Sequence, residues 1–403
     1  MNRRHFAAAS LAVALATTFS LPVQAQASDF VVGALSPLTG SGAPYGPGMV
    51  KAIQLAVQEI NAAGGAQGAQ FKVVVEDTQT APQAAVTGAK KMIEVDKVRA
   101  ILGCWSSGES LAVIPLTNEA NIPLMHASGA PALSADANPK RLGFRFQATN
   151  GRFGQAFAKI AAHQGYKNPA TMAFNNASGI GNTEGFTQAW KAAGGKVAAS
   201  VVYEPNRPSY RSELQAVLRA KPDVIVTGSY LADTTILLRE WYQTGVDTHW
   251  IIPGWAANAD LIKALGPKVT DGIISVESVS NENAPNYVHV RDALGKQGVD
   301  VAGNVYAPMA YDQAIILALA VQALGPKATG PELAKKVHEM GNPGGEPVYS
   351  FADGKKLLEA GRRITYVGAS SALNFDQYND VTPDFAASFV ENGKLVRKFV
   401  VKL

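Results

Sequence analysis

Cysteine is nearly absent from this chain of 403 residues: Cys104 stands alone. No internal disulfide is possible, even in an oxidising compartment, and no cysteine near the amino terminus offers a lipid anchor point. Cys104, inside an apolar run, reads as a small buried hydrophobe. Charged residues are also sparse at 17%, and the formal net charge of +4 includes Arg3 and Arg4. No Lys/Arg stripe is present, and "AKK" at 89–91 reads as the solvated face of a helix, so no nucleic-acid partner is expected. The six histidines, at 5, 126, 163, 249, 289 and 338, lack metal-ligand spacing, which argues against a metal or cofactor. Missing too are the P-loop, the G-x-S-x-G elbow and H-E-x-x-H. "GIGNTEG" carries Glu184 where the third glycine of a dinucleotide fingerprint belongs. These absences argue against an enzyme.

What is present begins with an address. "MNRRHFAAASLAVALATTFSLPVQAQASDF" joins a basic start, an Ala/Leu-rich stretch and small residues in A-x-A order, the pattern of an export signal spanning 1–27. "RRHF" resembles the twin-arginine motif without its "LK", so the export route stays open. No later segment offers some 18 uninterrupted apolar residues, and a freely diffusing periplasmic protein is expected.

Strand and helix patterns then alternate. Val31–Leu35 is an apolar run, and Val50, Ile53, Val57 and Ile60 follow at helical spacing before "NAAGG". "FKVVVED", "VRAILG" and "IPLMHAS" are further strands with helices between them, and past "FRFQATN" the alternation restarts through "TMAFN", "DVIVTG" and "WIIPG". Alternation of this kind predicts parallel, doubly wound α/β sheets in two lobes. The remaining carboxy-terminal segments are too few for a third lobe and should return to complete the first two. This predicts a multi-crossing hinge near Gln147, Val276 and Phe375, giving lobes of 28–147 plus 277–375 and of 148–276 plus 376–403.

In open α/β sheets, ligands sit at the carboxyl ends of the strands. Here those ends read "SPLTGSGAPYG", "GCWSSGES" and "HASGA", then "NNASGIGN", "GSYLAD" and "PGWAAN". They are small, hydroxyl-bearing and aromatic. Ser106 and Glu109 fit S-x-x-E, a capping box. Ser107, the free amides and the positive helix end could in addition receive an anion, most naturally a carboxylate. "ASGA" at 127–130 could grip the same anion from the neighbouring strand end. His126 reads as structural.

These segments, together with "VVGALSPLTGSGAPYGPGMVKAIQLAVQEINAAGG" and "YAPMAYDQAIILA", resemble the leucine/isoleucine/valine-binding family of periplasmic substrate-binding proteins. The resemblance runs through nearly the whole chain beyond the signal. It implies a bilobed fold that delivers ligand to the membrane subunits of an ABC permease. It also implies that Ser106, Ser107, Ser128, Gly129 and Ala130 hold a carboxylate and that Tyr45 and Tyr230 flank the ligand; Trp105, in the same strand-end loop as Ser106, could supply a further aromatic wall. In the family a Glu in a "PEG"-like turn holds the ammonium of an amino acid, and the cysteine pair near the site is absent from "DTQTAPQ". Here the turn reads "PGWAAN", with Trp255 near that place. Either the ligand lacks an α-ammonium and Trp255 stacks on its body, or another acid, with Asp233 nearest, takes the charge. The expectation is a monomer that closes on a small carboxylate with an apolar or aromatic body. A sensory binding protein for amides or amino acids, reporting to a regulator, is the alternative.

Overall fold

The computed structural model describes residues 29–403. The expected export signal lies outside them.

The first sheet holds β1 (Phe30–Ser36), β2 (Phe71–Asp77), β3 (Ile101–Cys104), β4 (Leu124–His126) and β5 (Gly143–Arg145), in the order β2-β1-β3-β4-β5 and parallel throughout. β1 and β3 diverge at their carboxyl ends, because the chain winds outward in opposite directions from this pair. A crevice opens there.

The second sheet repeats this plan. It contains β6 (Pro169–Phe174), β7 (Ser200–Tyr203), β8 (Val224–Gly228), β9 (His249–Pro253) and β10 (Ile274–Ser278) in the order β7-β6-β8-β9-β10. These five are parallel, and the second crevice lies between β6 and β8. Two further strands, β11 (Glu346–Val348) and β12 (Ile364–Tyr366), form a small parallel pair. The chain ends in the antiparallel hairpin β13 (Phe385–Glu391) and β14 (Lys394–Val401), which adds to the β10 edge.

The central strands are largely apolar because helices cover both faces of each sheet. β3, β6 and β8 are buried at every residue. Helix Tyr306–Leu324 is long and apolar enough to span a membrane by composition, yet 89% of that window lies inside the fold. It is a core helix of the first lobe, packed against helix Gly46–Ala62 and β3.

The chain passes between the sheets three times. It leaves the first sheet after Arg145, leaves the second after Ser278, and re-enters the second at Phe385. β10 continues past Val276 to Ser278 because β13 still pairs with it there, although its pairing with β9 ends at Val276.

Candidate functional site

The two crevices face one another. From the first lobe, Trp105, Ser106, Ser107, Ala127, Gly129 and Tyr306 line a common cavity. From the first crossing and the second lobe come Gln147, Asn150, Phe153, Ser178, Tyr230 and Trp255. The free space between them is about 20 Å³, room for one water.

Aromatic rings fill most of the cleft. Trp105 follows β3 directly and stacks on Tyr45 with centroids 5.5 Å apart. It meets Tyr230 of the other lobe at 5.3 Å and the edge of Tyr306 at 5.8 Å. Tyr230 continues to Phe174 at 4.6 Å, and Trp255 meets Phe153 edge-on at 4.9 Å. Tyr45 reaches across the cleft, its hydroxyl donating to the Trp255 carbonyl at 3.0 Å and accepting from Asn258 Nδ2 at 2.8 Å. Burial pushes the Tyr45 and Tyr230 phenols well above their ordinary range, so both remain neutral donors.

Helix Ser107–Ala120 begins with the capping box that its sequence announces. Ser106 Oγ accepts from Glu109 N at 3.3 Å, and Glu109 Oε2 accepts from Ser106 N at 2.9 Å. Glu109 also receives Thr78 Oγ1 at 2.7 Å, and burial raises its pKa. With Glu109 N taken by the cap and Ser110 N bonded to the Ser106 carbonyl, the amides of Ser107 and Gly108 lie before the first helical hydrogen bond. They are what the helix start can offer an anion. Ser107 Oγ accepts from Asn150 Nδ2 at 3.3 Å, a contact between the lobes.

The remaining sequence candidates divide. Gly129 lines the cavity, and only glycine fits there, since a Cβ would sit 2.6 Å from Asn150 Cγ. Ser128 knits the wall from behind: its hydroxyl meets Ser110 Oγ and lies 3.0 Å from the Ser106 carbonyl and 3.2 Å from that of Trp105. Ala130 is also behind the wall, its carbonyl accepting from Arg145. Asp233 is not among the residues that line the cavity, and its Oδ1 accepts from Tyr210 OH and Asn206 N. Trp255 donates its indole N–H to the Ser229 carbonyl at 3.0 Å, which fixes its ring as a wall. His126 Nδ1 accepts from Ser128 N, and burial beside Arg145 holds its pKa well below the ordinary value, so it is neutral.

Sequence reasoning placed Gln147 at a hinge crossing but not in the site, and did not single out Asn150, Phe153, Ser178, Tyr306 or Glu277. Ser178 stood in a strand-end loop and Tyr306 at a helix start, so both carried a positional signal. Glu277 carried none, being one carboxylate in "SVESV". It lies on β10 at the cleft's hinge end, where Oε1 accepts from Ser278 N at 2.8 Å and from Gln147 Nε2 at 3.2 Å. Among the described residues, Oε2 has only the Tyr306 hydroxyl at 3.5 Å. Burial pushes the Glu277 pKa up to about 7, against the hydrogen bonds from Ser278, Gln147 and Tyr306, which favour the ionised form.

Two α/β lobes that meet at both crevices around an aromatic-walled cleft define a bilobed small-ligand-binding protein. The chain belongs to the family described as "Periplasmic binding protein", which matches residues 30–365. A leucine-, isoleucine-, valine-, threonine- and alanine-binding protein of Pseudomonas aeruginosa is 24% identical over 378 residues, covering 93% of this chain and 91% of that one. Among solved structures, the branched-chain amino acid transporter substrate-binding protein LivJ of Streptococcus pneumoniae, in complex with isoleucine, superposes with a TM-score of 0.76. It is 20% identical and covers 93% of this chain and 100% of its own. An ABC transporter solute-binding protein from R. palustris, in complex with benzoate, gives a TM-score of 0.72 at 20% identity, over 92% of this chain and 96% of its own.

Proposed function

We propose that the protein is the substrate-binding component of an ABC importer, exported to the periplasm, and that its ligand is a small carboxylate with an apolar or aromatic body. The observation that carries this reading is the meeting, in one cleft, of the amides at the Ser107 helix start with aromatic walls drawn from both lobes. Helix-end attraction for an anion contributes about 0.3 to 2 kcal/mol, whereas micromolar binding requires about 8 kcal/mol. The ligand's apolar body must supply much of the remainder, at roughly 1.5 to 3 kcal/mol for each buried side chain. Trp105, Tyr230 and Trp255 are suited to receive it. The sheet memberships support lobes that divide near Gln147, just beyond Ser278 and just before Phe385. The protein then acts as a monomer that presents its closed form to the permease subunits.

Glu277 bears on which carboxylate is bound. An amino acid whose carboxylate lies at the Ser107 amides could direct its ammonium to Glu277, whose Oε2 is loosely engaged. That role replaces the one considered for Asp233. Calorimetry with L-leucine, L-phenylalanine and their deaminated analogues, on wild type and Glu277→Gln, tests the reading. We expect binding of an amino acid that weakens about 10- to 100-fold in Glu277→Gln, the effect of removing a charge-assisted hydrogen bond. Equal binding of the analogues would assign the ligand to acids without an ammonium. Failure of every carboxylate to bind would remove the proposal.

A further inference from the structure

The cleft wall at 127–130 is held from behind by one side chain. Arg145 ends β5 and is 1% exposed. One terminal nitrogen donates to the Ser128 carbonyl. The other donates to the Ala130 carbonyl at 2.9 Å and the Ser134 hydroxyl at 3.1 Å. Its Nε donates to Asp380 at 2.8 Å, and Ser134 Oγ donates to the second oxygen of the same carboxylate at 2.5 Å. The Gly129 carbonyl is engaged too, by Asn150 N at 2.7 Å.

A trans peptide sets each N–H antiparallel to the carbonyl before it. Holding the Ser128 carbonyl on the Arg145 side therefore directs the Gly129 N–H to the opposite side, where Gly129 lines the cavity. The rigid guanidinium fork satisfies two carbonyls and a carboxylate at once, which an ammonium cannot reproduce.

Asp380 lies on the third crossing between the lobes. The backbone there runs beside β5, with Arg145 N donating to the Asn379 carbonyl at 2.9 Å and Val381 N to the Arg145 carbonyl at 3.3 Å. A lobe rotation that moves this crossing must carry Asp380 along or open a buried ion pair, and Arg145 senses either change. We propose that Arg145 is a positioning residue of the ligand site and that, through Asp380, it couples the peptide planes of 128–130 to the hinge. The proposal rests on the reading that this wall receives the ligand's carboxylate.

The full chain is tested as Asp380→Asn and Arg145→Lys. Each is titrated by calorimetry with L-leucine, L-phenylalanine and their deaminated analogues, and the probe that wild type binds most tightly is used for comparison. Amide hydrogen exchange at Gly129 and Ala130 is followed in the free proteins. Asp380→Asn retains an acceptor for Arg145 Nε and serves as the mild variant should Arg145→Lys fold poorly. We expect unit stoichiometry with a Kd raised about tenfold in Asp380→Asn and more in Arg145→Lys, in line with weakened charge-assisted hydrogen bonds. Exchange at Gly129 and Ala130 should also quicken about tenfold in Asp380→Asn, although Asp380 touches neither residue. Wild-type Kd and exchange in both variants would overturn the proposal. So would a reduced active fraction with unchanged Kd, which marks a purely structural role. If no probe binds, the carboxylate reading fails and the exchange measurement alone decides the coupling.

Discussion

Asp312 illustrates how a single buried carboxylate sets a pH dependence. It projects from the core helix Tyr306–Leu324 and receives Tyr366 OH at 2.7 Å, the amides of Ala369 and Ser370 at 2.8 and 2.7 Å, and Ser370 Oγ at 2.6 Å. Four donors favour the ionised form, yet burial outweighs them and pushes the pKa from 3.8 up to about 6. In the unfolded chain an aspartate titrates near about 3.9. The folded state therefore holds the proton more tightly. Its contribution to stability is fully present below about pH 4 and is lost as the pH rises through about 6. The amount involved is at most about 3 kcal/mol. Melting curves of wild type and Asp312→Asn between pH 4 and 7 should diverge, with the wild-type advantage largest at the acid end. Parallel curves would contradict the assignment.

At the scale of elements, two helices bring second-lobe groups to the cleft: Asn150–His163 carries Asn150 and Phe153, and Ala177–Ala192 carries Ser178. They pack backbone to backbone through glycine. A Cβ on Gly154 would lie 2.5 Å from the Asn182 carbonyl and closer still to Phe186 N, and one on Gly185 would lie 2.6 Å from the Gly151 carbonyl. Within an isolated helix, Gly→Ala gains about 1 kcal/mol. Overpacking against backbone that cannot yield costs about 1 to 3 kcal/mol. The second term dominates, so Gly154→Ala should lower stability by up to about 2 kcal/mol in urea unfolding and weaken ligand binding by displacing Phe153. A variant more stable than wild type would show that the helices can separate without loss.

For the whole molecule, the cleft's free volume of about 20 Å³ decides what must move. Pockets for small ligands are larger by an order of magnitude, about 300 to 1,000 Å³. The rings of Tyr45, Trp105, Tyr230 and Trp255 must part before a ligand enters, and the three crossings make hinge rotation the direct route. A ligand that touches both lobes then favours the closed form in proportion to its differential affinity. Small-angle scattering should show a larger radius of gyration without ligand than at saturation. An unchanged radius would argue for ring rearrangement within fixed lobes.

The sequence by itself determined the local order of this protein. Alternating apolar runs and helical faces specify parallel α/β units, because each helix must return the chain to the same end of a sheet. The S-x-x-E pattern determined the start of the Ser107 helix, because a cap and its partner lie three residues apart. Six strand-end loops were legible for the same reason, and with them Trp105, Ser107, Gly129, Tyr230 and Trp255. Only the tertiary structure decided which polar groups those loops leave for a ligand. Asp233 is claimed by Tyr210, 23 residues away, while Glu277 reaches the hinge end of the cleft through Gln147, 130 residues away. Arg145 acquires its place behind the wall from Asp380, 235 residues on. Such partnerships depend on sheet order and on how the lobes meet, and neither leaves a periodic trace along the chain.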